Sequence, residues 1–364
     1  MTRILIAGGG TGGHLMPALA LAEALVAVQD DIEPVLVGAN RGIEADILPS
    51  RPFRYHLLPA EPIYRRSWWR NVRWPLVMGR LLRAGAKVLR EEQPVLAIGT
   101  GGYAAGPILF QALRRRIPVV LQEQNAYPGI TTRRLVRYAM QIHLGFPEAR
   151  VYLKPGRATE VCQYGNPIVP PPSSRPDRPI AREKLGIRGD SPVVFVMGGS
   201  QGARSINTAV SSALDDGLLD GIHVLWSTGP ANWQSLKRYD DSPNRLVRPF
   251  WDPIAEAYAA ADVTVARAGA MTTAELCAWG LPSILIPLPT AAGGHQSRNA
   301  EAMARSGASI HLPDSLLSAG TLAEAVVGLV DDQSRLSAMA RAAEGRGHPK
   351  AAENIARHIL RSTL

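Results

Sequence analysis

The sequence predicts an α/β fold of two lobes, each a parallel sheet with helices on both faces. Three observations lead there. At 364 residues the chain is longer than one core usually serves, so two domains are expected. Short apolar runs alternate with helix-like segments through both halves, the pattern of βα units. Four of those runs end in a glycine-rich loop that leads into a helix-like segment, two in each half.

In the first half, strands are expected at 3–7, 34–38, 95–98 and 117–121, with a helix over 17–28. Ile4-Leu5-Ile6-Ala7 runs into Gly8-Gly9-Gly10-Thr11-Gly12-Gly13-His14, and Val95-Leu96-Ala97-Ile98 into Gly99-Thr100-Gly101-Gly102-Tyr103. The stretch Pro167-Ile168-Val169-Pro170-Pro171-Pro172-Ser173-Ser174 can neither pair in a sheet nor continue a helix, so it reads as a stiff connector. A second series follows, with strands at 193–197, 222–226, 245–247, 263–265 and 283–287. Val193 to Met197 meets Gly198-Gly199-Ser200-Gln201-Gly202, and Val263-Thr264-Val265 meets Arg267-Ala268-Gly269-Ala270-Met271-Thr272-Thr273. Helical character returns from Ala351 to Leu360, a segment expected to pack back on the first lobe. The division predicted is 1–164 plus 345–364 for one lobe and 165–344 for the other.

Composition narrows the class. Apolar residues make up 46%, ample for a core in each lobe, and no apolar run reaches the length of a membrane span. The first strand begins at once, with no targeting pattern before it. Cys162 and Cys277 stand far apart at no metal-ligand spacing, so both read as packing residues in a reducing compartment. The net charge of +9 is lopsided: residues 1–164 hold 21 Lys and Arg against 12 Asp and Glu, and the remainder holds 19 of each. That asymmetry points to an anionic partner of the first lobe. No recognised nucleic-acid module accompanies it, so lipid headgroups or a phosphorylated substrate fit better.

The glycine loops suit phosphates, because glycine lets amides approach a ligand and a helix N-terminus favours negative charge. Gly8, Gly10 and Gly13 satisfy the dinucleotide fingerprint G-x-G-x-x-G. The second strand, however, closes in Val37-Gly38-Ala39-Asn40 with no carboxylate for a ribose, which argues against a nicotinamide site. In the second half, a helix opening near Met271 or Thr272 suits a phosphate, and Glu275, one turn inside it, suits ribose hydroxyls. Together they describe a nucleoside diphosphate, with a solvated helix position as the alternative for Glu275. Gln296 and Asn299 share a helix face as sugar-binding amides or as a helix cap.

Taken together, Gly9 to His14, Gly99 to Tyr103, Glu123-Gln124-Asn125, Gly165-Asn166-Pro167, Gly198 to Ala203, Arg267 to Thr272 with Glu275, and His295-Gln296 with Asn299 resemble the MurG family. These bacterial transferases add N-acetylglucosamine to the undecaprenyl-pyrophosphoryl-N-acetylmuramoyl-pentapeptide precursor of peptidoglycan. The segments span nearly the whole chain in the family's order. The resemblance implies a glycosyltransferase of the GT-B type, with two Rossmann-like lobes facing across a cleft. It implies UDP-N-acetylglucosamine in the second lobe: Ser200, Ala270, Met271 and Thr272 on the diphosphate, Glu275 on the ribose, Gln296 on the sugar and Trp251 near uracil. Thr11, Gly12, Gly13 and Asn125 would approach the donor sugar and acceptor, while Gly10, Gly101, Gly102 and Tyr103 would cradle the lipid pyrophosphate. It also implies an inverting transfer to the acceptor's 4-hydroxyl without metal or cofactor, at the cytoplasmic face of the inner membrane, in the service of cell-wall synthesis and division.

The sequence departs from the family pattern twice. Val169 stands where many relatives carry an arginine that reaches the donor, leaving Arg204, Arg267 or backbone amides for the diphosphate. Gln122 stands where some relatives have a histidine. For the general base His14 is favoured, since imidazole is both unprotonated and basic near neutrality, with Glu123 in reserve. The competing reading makes His14 an orienter of phosphate. Between Ile63 and Arg90 lie eight basic residues and no acidic ones, with Trp68, Trp69 and Trp74 interleaved. Arg80, Arg83, Lys87 and Arg90 share a helix face beside Val77, Leu81, Leu82, Val88 and Leu89, which suits an anionic membrane surface. Readings from other classes are a UDP-sugar epimerase, an NAD-dependent oxidoreductase and a non-catalytic sugar-nucleotide binder.

Overall fold

The computed structural model describes residues 1–61, 73–199, 202–240 and 244–363. Ser200, Trp68 and Trp69 lie outside the described residues. The chain divides into Met1–Val169 with Lys350–Leu364, and Pro170–Pro349. Both changeovers fall a few residues beyond the positions read from the sequence, after the buried Ile168 rather than before Gly165.

The first unit runs β1 (Thr2–Gly8), α1 (Gly12–Val28), β2 (Ile32–Ala39), α2 (Glu44–Ile47), β3 (Arg54–Leu58), α3 (Trp74–Glu92), β4 (Leu96–Gly101), α4 (Ala105–Arg114), β5 (Val119–Glu123), α5 (Ile130–Leu135), β6 (Gln141–Leu144) and β7 (Glu160–Cys162). Its seven-stranded sheet has the order β3-β2-β1-β4-β5-β6-β7, and every pairing is parallel. Alternation along β1 divides the core. Leu5 and Ala7 pack with Leu81 and Val88 of α3 and Ile108 of α4. Ile4 and Ile6 pack on the other face with Leu15, Leu21 and Leu25 of α1. A strand buried on both faces must read as a continuous apolar run, as β1 does.

The second unit runs α6 (Arg178–Lys184), β8 (Val193–Met197), α7 (Arg204–Asp215), β9 (His223–Ser227), α8 (Pro230–Leu236), β10 (Arg245–Arg248), α9 (Ile254–Ala260), β11 (Val263–Ala266), α10 (Ala270–Trp279), β12 (Ser283–Leu285), α11 (His295–Arg305), β13 (Ser309–His311), α12 (Ala319–Val330) and α13 (Gln333–Gly345). Its parallel sheet has the order β10-β9-β8-β11-β12-β13. The last helix, α14 (Ala351–Thr363), belongs to the first unit, where Ile355, Ala356, Ile359 and Leu360 join the cluster around α1.

The structure adds strands the sequence reading omitted: β3, β6, β7 and β13. Each is short and carries polar residues such as His56, Gln141, His143, Glu160 and His311, so hydrophobic periodicity alone does not reveal it. Helix α1 starts at Gly12, five residues before the expected 17, because its glycines and Pro17 disguise a first turn. Among the described residues no helix is long and apolar enough to cross a membrane.

Candidate functional site

In the first unit, the two glycine loops leave the carboxyl ends of β1 and β4, the neighbouring strands between which the strand order reverses. Loops on either side of such a reversal diverge to opposite faces of the sheet and leave a crevice where ligands gather. The two loops touch. A Cβ on Gly102 would overlap the Gly9 carbonyl, and one on Gly10 would overlap the Tyr103 ring. Both glycines have positive φ, 87° and 94°, so the contact excludes any side chain.

His14 sits in the first turn of α1, wedged between these loops. A Cβ on Gly101 would come within 2.6 Å of its Cδ2. The Thr100 hydroxyl donates to the His14 carbonyl at 2.8 Å, and His14 Nδ1 lies 3.1 Å from Thr11 Oγ1. The fold therefore brings Gly10, Thr11, His14, Gly101, Gly102 and Tyr103 together.

Gly12 and Gly13 differ from their neighbours. A Cβ at Gly12 would meet nothing within 4 Å, and one at Gly13 only Thr11 Oγ1 at 3.8 Å. Glycine costs a helix about 1 kcal/mol relative to alanine, and among the described residues nothing packs where these side chains would stand. The missing side chains open space beside the first-turn amides of α1, a helix end with no acidic residue. That arrangement suits an anion.

Sequence reasoning missed Glu44. This residue of α2 is fully buried under the first glycine loop, where one carboxylate oxygen accepts the Gly10 amide. Side chains at Gly9, Gly38 or Gly42 would collide with it. Burial pushes its carboxyl above the usual range, against the lowering effect of the backbone amides, and its Oε2 has no partner among the described residues. The carboxylate absent from the end of β2 thus stands a few residues later and turns inward. Only the glycines spaced around it hinted at this in the sequence.

Glu123 and Asn125 lie at the end of β5. Glu123 is buried; its Oε1 accepts from the Asn125 backbone N–H at 3.1 Å and Nδ2 at 3.3 Å, and its Oε2 from the Gly129 N–H at 2.9 Å. With both oxygens engaged, it folds the loop and aims Asn125, work that leaves it a poor reserve base. Gln122 is buried too and donates to Asn166 Oδ1 at 3.1 Å, while Asn166 Nδ2 donates to the Gln124 carbonyl at 3.0 Å. The position that departs from the family's histidine is therefore part of the support under the loops.

In the second unit, the glycine loops follow β8 and β11, again the pair at which strand order reverses. Helix α10 begins at Ala270 behind the N-cap Gly269, with Met271 and Thr272 in its first turn and no acid there. It is fixed from behind. Asn299 of α11, fully buried, donates to the Ala268 carbonyl at 3.1 Å. Arg267 Nη1 donates to the carbonyls of Ile286 and Pro287 at 3.2 Å each and to Asp314 Oδ1 at 2.5 Å, and Nη2 to Ser205 Oγ at 2.7 Å. Its guanidinium is a buried brace, so Arg267 is withdrawn as a diphosphate ligand. Arg204, exposed at the first position of α7, remains near the other loop.

Glu275 is half-buried and accepts the Tyr258 hydroxyl at 3.0 Å. Burial raises its carboxyl above the ordinary range, while the Tyr258 bond opposes the rise. Burial and the adjacent carboxylate hold the Tyr258 phenol far up, so it stays a donor. Gln296, second in α11, accepts the Leu288 N–H on Oε1 at 2.8 Å and has its amide nitrogen to offer a ligand. Asn299, expected beside it on a sugar, instead anchors the loop before α10. Trp251 is buried against Phe195 at 5.7 Å, with the Arg248 guanidinium 4.2 Å from its ring centroid, so its ring is committed to packing.

Helix α3 exposes Arg80, Arg83, Lys87 and Arg90, and Leu76 is 70% exposed near its start. Leu81, Val88 and Leu89, expected to lie beside the charges on the docking face, are packed instead into the core against Ile108 and Leu109.

Residues 4–144 match the glycosyltransferase family 28 N-terminal domain, and residues 193–355 match the C-terminal domain of that family. The UDP-N-acetylglucosamine–N-acetylmuramyl-(pentapeptide) pyrophosphoryl-undecaprenol N-acetylglucosamine transferase of Salinibacter ruber is 39% identical over 98% of this chain and 96% of its own. The transferase of the same name from Acetivibrio thermocellus is 37% identical, over 97% and 96%. The crystal structure of Acinetobacter baumannii MurG matches with a TM-score of 0.79 at 26% identity, covering 99% of this chain and all of that one. With both family 28 domains in order and this likeness along nearly its full length, the chain belongs to the MurG family of glycosyltransferases.

Proposed function

We propose that this chain transfers N-acetylglucosamine from UDP-N-acetylglucosamine to the 4-hydroxyl of the lipid-linked N-acetylmuramoyl-pentapeptide, with inversion at the anomeric carbon. The observation that carries the reading is the same in both units: a glycine-bordered helix start at a sheet reversal with no acid in its first turn. In the first unit the bordering glycines leave space that no described residue fills. A nucleoside diphosphate and a lipid pyrophosphate are the two anions such a pair would serve.

The second unit takes the donor. The first-turn amides of α10 and the Thr272 hydroxyl hold the diphosphate, Ser200 assists, and Glu275, steadied by Tyr258, accepts from the ribose. Gln296 donates to the sugar, and the backbone at Trp251 reads the uracil. As the glycosidic bond breaks, charge develops on the leaving diphosphate, and these aligned amides meet it without reorganising. No metal is needed for that step. The first unit takes the acceptor, with Gly10, Gly101, Gly102 and Tyr103 around its pyrophosphate and Thr11, Gly12, Gly13 and Asn125 beside the reacting sugars. His14 Nε2 removes the hydroxyl proton. For this the Nδ1–H must donate to Thr11 Oγ1, which leaves Nε2 unprotonated.

The acceptor is a membrane lipid, and the exposed basic face of α3 with Leu76 suits a peripheral site on an anionic leaflet. Reversing Arg80 and Arg83 to Glu is expected to weaken binding to anionic vesicles at least about tenfold; unchanged binding removes the docking face. The reaction itself is tested by UDP release with and without the lipid-linked muramoyl acceptor. Release that depends on the acceptor, with a disaccharide product, supports the assignment. Isomerised UDP-sugar, or binding with no turnover, replaces it with an epimerase or a binding protein.

A further inference from the structure

Away from both glycine-loop pairs, on the last strand of the first sheet, the described residues bring together Glu160, Cys162 and His358. The register that pairs Gln141 with Glu160 and His143 with Cys162 sets Glu160 and Cys162 on one face of β7. Helix α14 lays His358 against that face. Its Nε2 lies 2.9 Å from Glu160 Oε2 and 3.5 Å from Cys162 Sγ, and the three donor atoms fall within 4.8 Å of one another. Nearly two hundred residues separate His358 from the other two, so no sequence spacing announces the group.

The donor set is one sulfur, one imidazole nitrogen and one carboxylate oxygen, all zinc ligands. A tetrahedral ion with bonds near 2.0–2.3 Å sets neighbouring donors about 3.4 Å apart. The sulfur–nitrogen pair already meets this. The carboxylate must withdraw by about half an ångström, which its exposed side chain permits. Around the set stands the support a metal-bound histidine requires: Tyr164 Oη lies 3.1 Å from His358 Nδ1, on the ring atom facing away from the other donors. His143, fully buried, stands beside the set with its ring centroid 5.7 Å from that of His358, and its Nε2 lies 3.2 Å from Gln141 Oε1.

We propose that Cys162, His358 and Glu160 form a Zn²⁺ site that clamps α14 to β7, with a water as fourth ligand on the open side. Binding forms the Zn–S, Zn–N and Zn–O bonds and expels the Cys162 thiol proton to solvent. His358 stays neutral, its proton moving from Nε2 to Nδ1, where it is donated to Tyr164 Oη.

The test uses the full chain, stripped with a chelator, dialysed and titrated with Zn²⁺ alone and, in parallel, with Co²⁺ as a spectroscopic probe. The site requires one equivalent bound with Kd near or below about 1 µM. It also requires a thiolate-to-cobalt absorption band and a melting temperature that rises with added zinc. Cys162→Ser and His358→Gln, each checked for native circular dichroism, should weaken zinc binding about 100-fold and abolish the cobalt band. The cobalt band of the unaltered chain decides the matter even if a variant fails to fold. Absence of a stoichiometric site, or tight binding indifferent to both substitutions, would reduce the cluster to a hydrogen-bonded latch.

Discussion

The two sheet reversals share a topology and differ in what fills them. In the first unit, side chains interlock: the Tyr103 ring covers Gly10, the His14 ring lies on Gly101, and Glu44 supports the loop from beneath. In the second, the helix starts behind a glycine with no acid in its first turn, and its fixings stand behind it in Asn299, Arg267 and Tyr258. Under the proposed reaction the contrast would separate two kinds of chemistry. A loop that delivers a proton acceptor needs a side chain held at a fixed angle, whereas a site that stabilises a leaving diphosphate needs aligned amides and rigid backing.

The largest expected effect breaks the first half of that comparison. His14→Ala should lower kcat by about 10²–10⁴-fold, the range for losing a general base, while UDP binding to the second unit persists. A turnover number within a few-fold of the parent would make His14 an orienter. Glycines sharpen the contrast next. Gly102→Ala places a side chain on the Gly9 carbonyl at positive φ and should cost about 1–3 kcal/mol of stability in urea unfolding. Gly12→Ala enters open space and should leave stability equal or slightly higher, yet raise the KM for a substrate. If Gly12→Ala proves kinetically silent, the space beside α1 is not reserved for a ligand. The smallest effect probes the second unit. Glu275→Gln keeps an acceptor for Tyr258 but loses charge, so UDP affinity should fall about tenfold with the acceptor KM unmoved. Calorimetry with UDP alone reads it, and full affinity would remove Glu275 from the ribose.

Much of this was legible in the chain. The alternation of Ile4 to Ala7 with Leu15 to Leu25 gives βα units, because a strand covered on both faces has no room for polar residues. The glycine loops marked the strand ends at the two sheet reversals, because loops that press on one another there leave no room for side chains at Gly10 and Gly102. Arg267 was not legible: an arginine beside a phosphate loop and an arginine bracing that loop look alike until Asp314 and Ser205 arrive from distant segments. Glu44 was hidden for the same reason, since burial of a carboxylate depends on what folds over it.

The two cysteines draw the line most sharply. Both are buried, and both read from spacing as packing residues. Cys277 is one, set against Met303. Cys162 is also packed, but α14 returns across β7 and sets His358 3.5 Å from it, a neighbour no spacing announces. Periodicity and turn chemistry are local, so the sequence alone determined the longer apolar strands, the alternating α/β arrangement and the places of the glycine loops. Which charged and ligating side chains meet depends on contacts between segments far apart in the chain, and that only the packed structure decided.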